Sequence, residues 1–127
     1  VITGVRFNLP GKHETLKLYK VSRRQHLDIS AFTAAIRLTL KEGMIEKASV
    51  SYGGVAATVL RLKEVEDFLE GKDHRLETYQ KAGQLARSLV EPLSDVRGSR
   101  EYRLQLAQNI MTKFFYETEK EEALICR

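Results

Sequence analysis

One cysteine, two prolines and no tryptophan stand in a chain of 127 residues, and each scarcity removes a class of explanation. The single thiol, Cys126, lies one residue from the end, so neither an internal disulfide nor a CxxC-type metal site can form. No apolar run reaches the roughly 18 to 20 residues that span a bilayer. The opening VITGVRFNLP also lacks the basic start and apolar stretch of a signal peptide. The sequence therefore predicts a soluble, cytoplasmic protein with no membrane association. Metal-binding spacing is missing as well: His13, His26 and His74 are scattered, with no second ligand at the i+3 or i+4 positions of a helix. Asp28 follows His26 by two residues, and two ligands do not make a site. No serine sits in a nucleophile elbow. The stretch SYGGVAAT has neither the GxGxxG nor the GxxxxGK spacing of a phosphate loop. No catalytic residue and no metal ligand are expected within the chain.

What is present describes an ordinary globular domain. With 43% apolar and 30% charged residues, the chain can bury one core, and residues 1–127 are read as a single domain. The net charge of +4 raises the question of nucleic acid. Its distribution argues against it, because lysines alternate with glutamates in KEVEDFLEGK and YETEKEEA, and no basic run carries stacking aromatics. The chain opens on an apolar–polar pattern without an initiator methionine. From this we expect a fragment with further chain before Val1.

Periodicity supplies the elements. Ile2, Val5 and Phe7 suggest a strand over residues 1–9, stopped by Pro10-Gly11. Leu16, Leu18 and Val21 alternate through a short extended connector. Phe32, Ala34, Ile36, Leu38 and Leu40 recur every second residue, residues 41–43 can turn, and Ala48, Val50 and Tyr52 alternate again. This is an antiparallel β-hairpin. After Gly53-Gly54 the period lengthens. Leu62, Val65, Phe68 and Leu69 mark a helix ending at Gly71, and Leu76 to Val90 a second that Pro92 stops. A third, capped by Ser99, places Tyr102, Leu106, Ala107, Ile110, Met111, Phe114 and Phe115 on its buried stripe, and its tail ETEKEEALICR is expected to fray. The fold class is α+β, a small antiparallel sheet of N-terminal strand plus hairpin, covered on one face by about three helices.

Two polar clusters remain. LYKVSRRQHLDI gathers Lys20, Arg23, Arg24 and Asp28 along what reads as a solvated or docking edge, with contact to an anionic ligand as the minority reading. Asp95, Arg97 and Arg103 flank the start of the third helix, where Asp95 can cap backbone amides and the arginines can form buried ion pairs. The Gly-Gly pair suits a sharp bend better than ligand contact.

In this order, the segments resemble the C-terminal domain of the flavoprotein subunit of the xanthine dehydrogenase and carbon monoxide dehydrogenase family, the molybdenum hydroxylases. ITGVRFNLP is similar to the strand leaving that family's FAD-binding domain, and YKVSRRQHLDISAFTAAIRL to its Y-K-x-S-x-R-x-x-x-D-I segment and following strand. VSYGGVAATVLRLKEVEDFLEGK resembles its glycine–glycine turn and first helix, and DVRGSREYRLQLAQNI its D-x-R-x-S-x-x-Y-R helix start. The likeness covers about residues 1–116, and Lys20 after Tyr19 resembles the xanthine dehydrogenase branch. Gln25, His26 and Leu27 depart from it, standing where many relatives carry Arg, Glu and Asp. The resemblance implies an oxidoreductase in which electrons pass from a molybdenum cofactor through 2Fe-2S clusters to FAD, and on to NAD or another acceptor. It implies two cofactor-binding residues, Lys20 beside the isoalloxazine and Ile2 packed near the ring. A lysine there can stabilise negative charge gathering on the reduced flavin. It also implies partners: a preceding FAD-binding domain, and iron–sulfur and molybdopterin-binding subunits or domains. Without that preceding domain the isolated chain is expected to be inactive and to bind no flavin. The competing reading is a cofactor-free protein–protein interaction module that uses the open hairpin face or the basic edge.

Overall fold

The computed structural model describes residues 1–24 and 28–125, the last five as helix backbone alone. Strands β1 (Glu14–Val21), β2 (Phe32–Lys41), β3 (Met44–Gly53) and β4 (Leu60–Arg61) precede helices α1 (Lys63–Leu69), α2 (Leu76–Leu89) and α3 (Arg100–Ile125). The strands form one antiparallel sheet in the order β1-β2-β3-β4, and the fold is α+β as expected.

The central hairpin closes through Glu42 and Gly43, both at positive φ (52° and 76°), the primed-turn geometry that matches strand twist. Between Thr39 and Leu40 the register slips by one residue on β3, so Glu46 is left without a partner. This bulge turns Ile45 inward beside Ala48, Val50 and Tyr52, which simple alternation would not allow. Those side chains, with Phe32, Ala34, Ile36 and Leu38 of β2, meet the helices in one buried cluster.

Two expectations from the sequence fail at the N-terminus. Residues 1–9 form no strand, and Ile2, Val5, Phe7 and Leu9 are exposed there. The first strand is instead the 14–21 segment, and its apolar alternation points away from the helices. Leu16 and Leu18 are exposed, whereas Tyr19 and Val21 pack on the core. An edge strand pairs through its backbone, so its side-chain pattern need not announce it.

The helices follow their predicted stops and caps. The Glu70 N–H donates to Glu66 and Gly71 takes φ 76°, ending α1. Ser99 Oγ accepts the Tyr102 N–H at 3.1 Å and starts α3. Two details of α3 differ. Tyr102 is half-exposed while Arg103 and Leu104 are buried in its place, so the buried stripe is rotated by one residue at its start. The tail expected to fray is helical through Ile125. Thr118, buried, donates to the Phe114 and Phe115 carbonyls, and Glu117 links the helix to the sheet.

Buried carboxylates hold the layers. Glu66, fully buried on α1, accepts the Val50 N–H at 2.9 Å and both Arg61 Nε and a terminal guanidinium nitrogen. It completes the backbone of β3 where the two-residue β4 is too short to do so. Tyr52, whose hydroxyl burial pushes well above its ordinary pKa, donates to the Ala107 carbonyl at 3.0 Å and ties sheet to α3. Gly83 is the contact point of α2 with α3.

Two outcomes are expected. A Cβ at Gly83 would lie 2.3 Å from the Gln108 carbonyl oxygen, a backbone atom. Gly83→Ala should therefore destabilise the fold by about 1–3 kcal/mol, despite alanine's better helix propensity, as read from the urea midpoint; an unchanged midpoint would show that the helices are not packed so closely. The second concerns acid. Desolvation raises the Glu66 pKa, but Arg61 and the Val50 N–H outweigh it and the net shift is downward. Glu117 is likewise lowered, with desolvation outweighed by Lys113 and Tyr19. A depressed folded pKa stabilises above the ordinary carboxylate range, and that stability is lost as pH falls through the folded value. Thermal stability should decline below about pH 5, and Glu66→Gln, less stable at neutral pH, should show a shallower decline in the same scan.

Candidate functional site

Lys20 sits on β1 opposite Thr33, on the sheet face that the helices leave uncovered. Alternation along the strand puts Glu14, Leu16, Leu18 and Lys20 on that face and Tyr19 on the other. Tyr19 anchors the strand from the helix side. Its hydroxyl donates to Glu117 at 2.8 Å, and Lys113, which also holds Glu117, lies 5.9 Å from the centre of its ring. Lys20 is thus presented by a strand whose opposite face is fixed. It is exposed, and it makes no hydrogen bond or ion pair among the described residues.

The surface beside it is flat. Thr33 pairs in turn with Gly53, where a Cβ would fall 2.4 Å from Thr33 Oγ1. Ala35 and Ser51 continue the lane of small side chains. Leu18, opposite Ala35, is 73% exposed, a degree unusual for a leucine at the middle of a paired strand.

At the end of this sheet the second cluster is assembled. Asp95 Oδ1 accepts the N–H groups of Arg97 at 2.8 Å and Gly98 at 3.1 Å, together with an Arg103 guanidinium nitrogen at 2.7 Å. The Arg97 amide is the main reason its carboxyl is held below the usual range; desolvation opposes it, and Arg103 and the Gly98 amide add to the lowering. The other terminal nitrogen of Arg103 donates to the Gly54 carbonyl at 3.0 Å. Gly54 has φ +78°, and a Cβ there would lie 2.6 Å from the Ala31 carbonyl oxygen. The Gly-Gly turn is therefore a structural junction, as its spacing suggested, with its carbonyl committed to Arg103.

Of the basic edge, Arg23 and Arg24 line a shallow cleft with Ile29 and Arg97. Asp28 accepts the Arg24 N–H at 3.2 Å. Sequence brought Lys20, Arg23 and Arg24 together as one cluster. The structure splits them, placing Lys20 on the strand face and the arginines in the following loop. Ile2, the other expected cofactor contact, is 86% exposed in the extended segment before β1. His26 and Cys126 lie outside the described residues. Among the described residues no group of three or more His, Cys, Asp or Glu could hold a metal, and no helix is long and apolar enough to cross a membrane. Glu66 and Glu117, which fix β3 and β1, were missed by sequence reasoning. Each lies in a charge-rich helical stretch that reads as solvated, and the only clue was its spacing from apolar neighbours.

As a test of fit, these residues suit a flavin edge in part. A free ammonium beside small side chains admits a planar ring and complements negative charge on it. The described residues form no glycine-rich phosphate cradle, so they could meet a flavin's ring but not hold its pyrophosphate.

The sequence profile of the CO dehydrogenase flavoprotein C-terminal domain matches residues 17–118. The chain is 27% identical over 108 residues to the xanthine dehydrogenase FAD-binding subunit of Escherichia coli O157:H7, covering 85% of this chain and 37% of that one. It is 31% identical over 107 residues to the carbon monoxide dehydrogenase medium chain of Afipia carboxidovorans, covering 84% and 37%. The reconstituted CO dehydrogenase structure from Oligotropha carboxidovorans superposes with a TM-score of 0.75 at 30% identity, over 83% of this chain and 36% of that one. The chain thus spans little more than a third of each of these relatives, and over that span sequence and fold agree: it belongs to the CO dehydrogenase flavoprotein C-terminal domain family.

Proposed function

We propose that this chain is the C-terminal domain of the FAD-carrying subunit of a molybdenum hydroxylase, an oxidoreductase in which it supports the flavin and docks to the rest of the electron-transfer assembly. The observation that carries the reading is Lys20, an ammonium without a partner among the described residues, on an uncovered, small-residue strand face within the segment matched to the family. When bound, FAD would take electrons arriving from the molybdenum and iron–sulfur centres and pass them to NAD or another acceptor. Lys20 would hold positive charge at the edge of the ring, favouring its reduced form. Tyr19 and Glu117 would keep the strand that carries Lys20 in place. Ile2, exposed in the segment before β1, would add an apolar contact where that segment meets the flavin-binding part.

Relatives named for xanthine and for carbon monoxide match over similar shares of the chain, so we assign the class of assembly and leave its substrate open. Lys20 following Tyr19 favours the xanthine dehydrogenase-like branch within it. In this reading the 127-residue chain alone is inactive.

The test is flavin content and potential. The purified 127-residue chain should be colourless, and the full-length gene product should carry FAD. In the full-length protein, Lys20→Met should lower the two-electron flavin potential by roughly 30 mV, the equivalent of about 1.4 kcal/mol. A full-length product without flavin would refute the assignment, and an unchanged potential would remove Lys20 from the site.

A further inference from the structure

We infer that the groove between α2 and α3, on the outer side of the helical layer, binds the main chain of an extended, uncharged segment of another protein. It lies away from the sheet face that carries Lys20 and needs nothing of the flavin assignment. Contacts run from Arg87–Glu101 through Gly83–Gln108 to Tyr79–Phe115, so the two helices are antiparallel. At Gly83 their backbones all but touch. Beside this close approach a groove of about 670 Å³ opens between Gln80 and Gln84 of α2 and Gln108, Asn109, Thr112 and Lys113 of α3. Gln80, Gln84, Gln108 and Thr112 make no side-chain hydrogen bond among the described residues, and Asn109 commits only its carbonyl oxygen, to Gln105. The walls thus present carboxamides whose donors and acceptors are open.

What is missing from the lining selects the ligand. None of these residues is apolar, so an amphipathic helix would bury nothing there. Lys113 is the lone cation of the lining, and Glu117 neutralises it, which leaves little attraction for phosphates. No aromatic ring stands in the walls to stack on a sugar or a base. Arg87 is likewise paired with Glu101 towards the other end, so both ends of the groove are electrically neutral. A carboxamide offers a carbonyl acceptor and an NH2 donor in one plane, the pattern of a peptide unit. The spacing matches as well. Gln80 and Gln84, like Gln108 and Thr112, stand one helical turn apart, roughly 6 Å between Cβ atoms. An extended chain repeats its outward peptide groups every second residue, roughly 6.6 Å. Successive polar side chains on each wall can therefore meet successive peptide units of one strand without reading its side chains. A second copy of this chain presents the same concavity and does not fill it.

The probe is a capped octapeptide of alternating threonine and serine, uncharged and poor in helix propensity, titrated into the 127-residue chain carrying isotope-labelled glutamine. The side-chain resonances of Gln80, Gln84 and Gln108 should shift together and saturate. The same peptide N-methylated at every second residue keeps its side chains and loses half of its main-chain donors, and it should bind roughly ten-fold more weakly. Gln84→Ala combined with Gln108→Ala should weaken the unmethylated peptide by a similar factor at an unchanged thermal midpoint, whereas Lys81→Ala, exposed and outside the groove, should leave binding as it was. Equal binding of the methylated peptide would overturn main-chain recognition, as would shifts produced by maltohexaose or oligothymidylate and not by the peptide. No shift with any of these probes overturns the site. Concentration-dependent shifts of the same resonances in the chain alone would show self-association through the groove and would overturn the proposal too.

Discussion

Arg103 is the cation around which the end of the sheet is organised. Its guanidinium leaves the first turn of α3 and reaches the Gly54 carbonyl on one side and Asp95 on the other. It is almost fully buried, so the charge is tolerable only because these two acceptors replace water. That requirement dictates the local chain. Gly54 must lie close to Ala31, which needs a left-handed residue without a Cβ, and Asp95 must turn back on the amides of Arg97 and Gly98. β2, β3 and α3 are thereby joined at one end, and the small residues of the uncovered face are held level with one another.

At the other edge the same task falls to a neutral–acidic pair. Tyr19 and Glu117 clasp β1 to α3, with Lys113 supporting the carboxylate. This arrangement separates two jobs along one strand. Odd-numbered residues of β1 secure it to the core, and even-numbered ones are left to meet whatever covers the sheet. The residue that follows Tyr19, Lys20, lies among the even-numbered ones, on the face that the helices leave uncovered.

Much of this was legible in the sequence. The hairpin could be read because β2 is half-buried along its whole length and alternates without interruption. The helices could be read because Gly71, Pro92 and Ser99 punctuate them. Asp95 and Arg103 declared themselves as a structural cluster through their proximity to a helix start. What failed did so for physical reasons. Ile2, Val5 and Phe7 have the composition of a strand but no pairing partner among the described residues, and pairing cannot be read from one strand alone. Leu16 and Leu18 pointed the wrong way because they lie on the face of the edge strand that the helices leave uncovered, where the usual rule that apolar means inside does not hold. Glu66 is spaced to share the apolar face of Leu62 and Leu69, but the reason for its burial, a backbone amide left unpaired by the shortness of β4, is a fact of topology.

The order of the strands has a kinetic meaning as well. Sheet neighbours are sequence neighbours throughout, and β2 and β3 meet through a two-residue turn. Most of the entropy of closing the sheet is therefore lost in short loops, which favours rapid assembly. During synthesis the hairpin can form while α3 is still being made, yet its Tyr52 hydroxyl has no acceptor until Ala107 arrives. The chain thus passes through an interval in which α1 and α2 can already cover part of the inner face, and the hydroxyl at its centre waits for the last of these three helices to supply an acceptor.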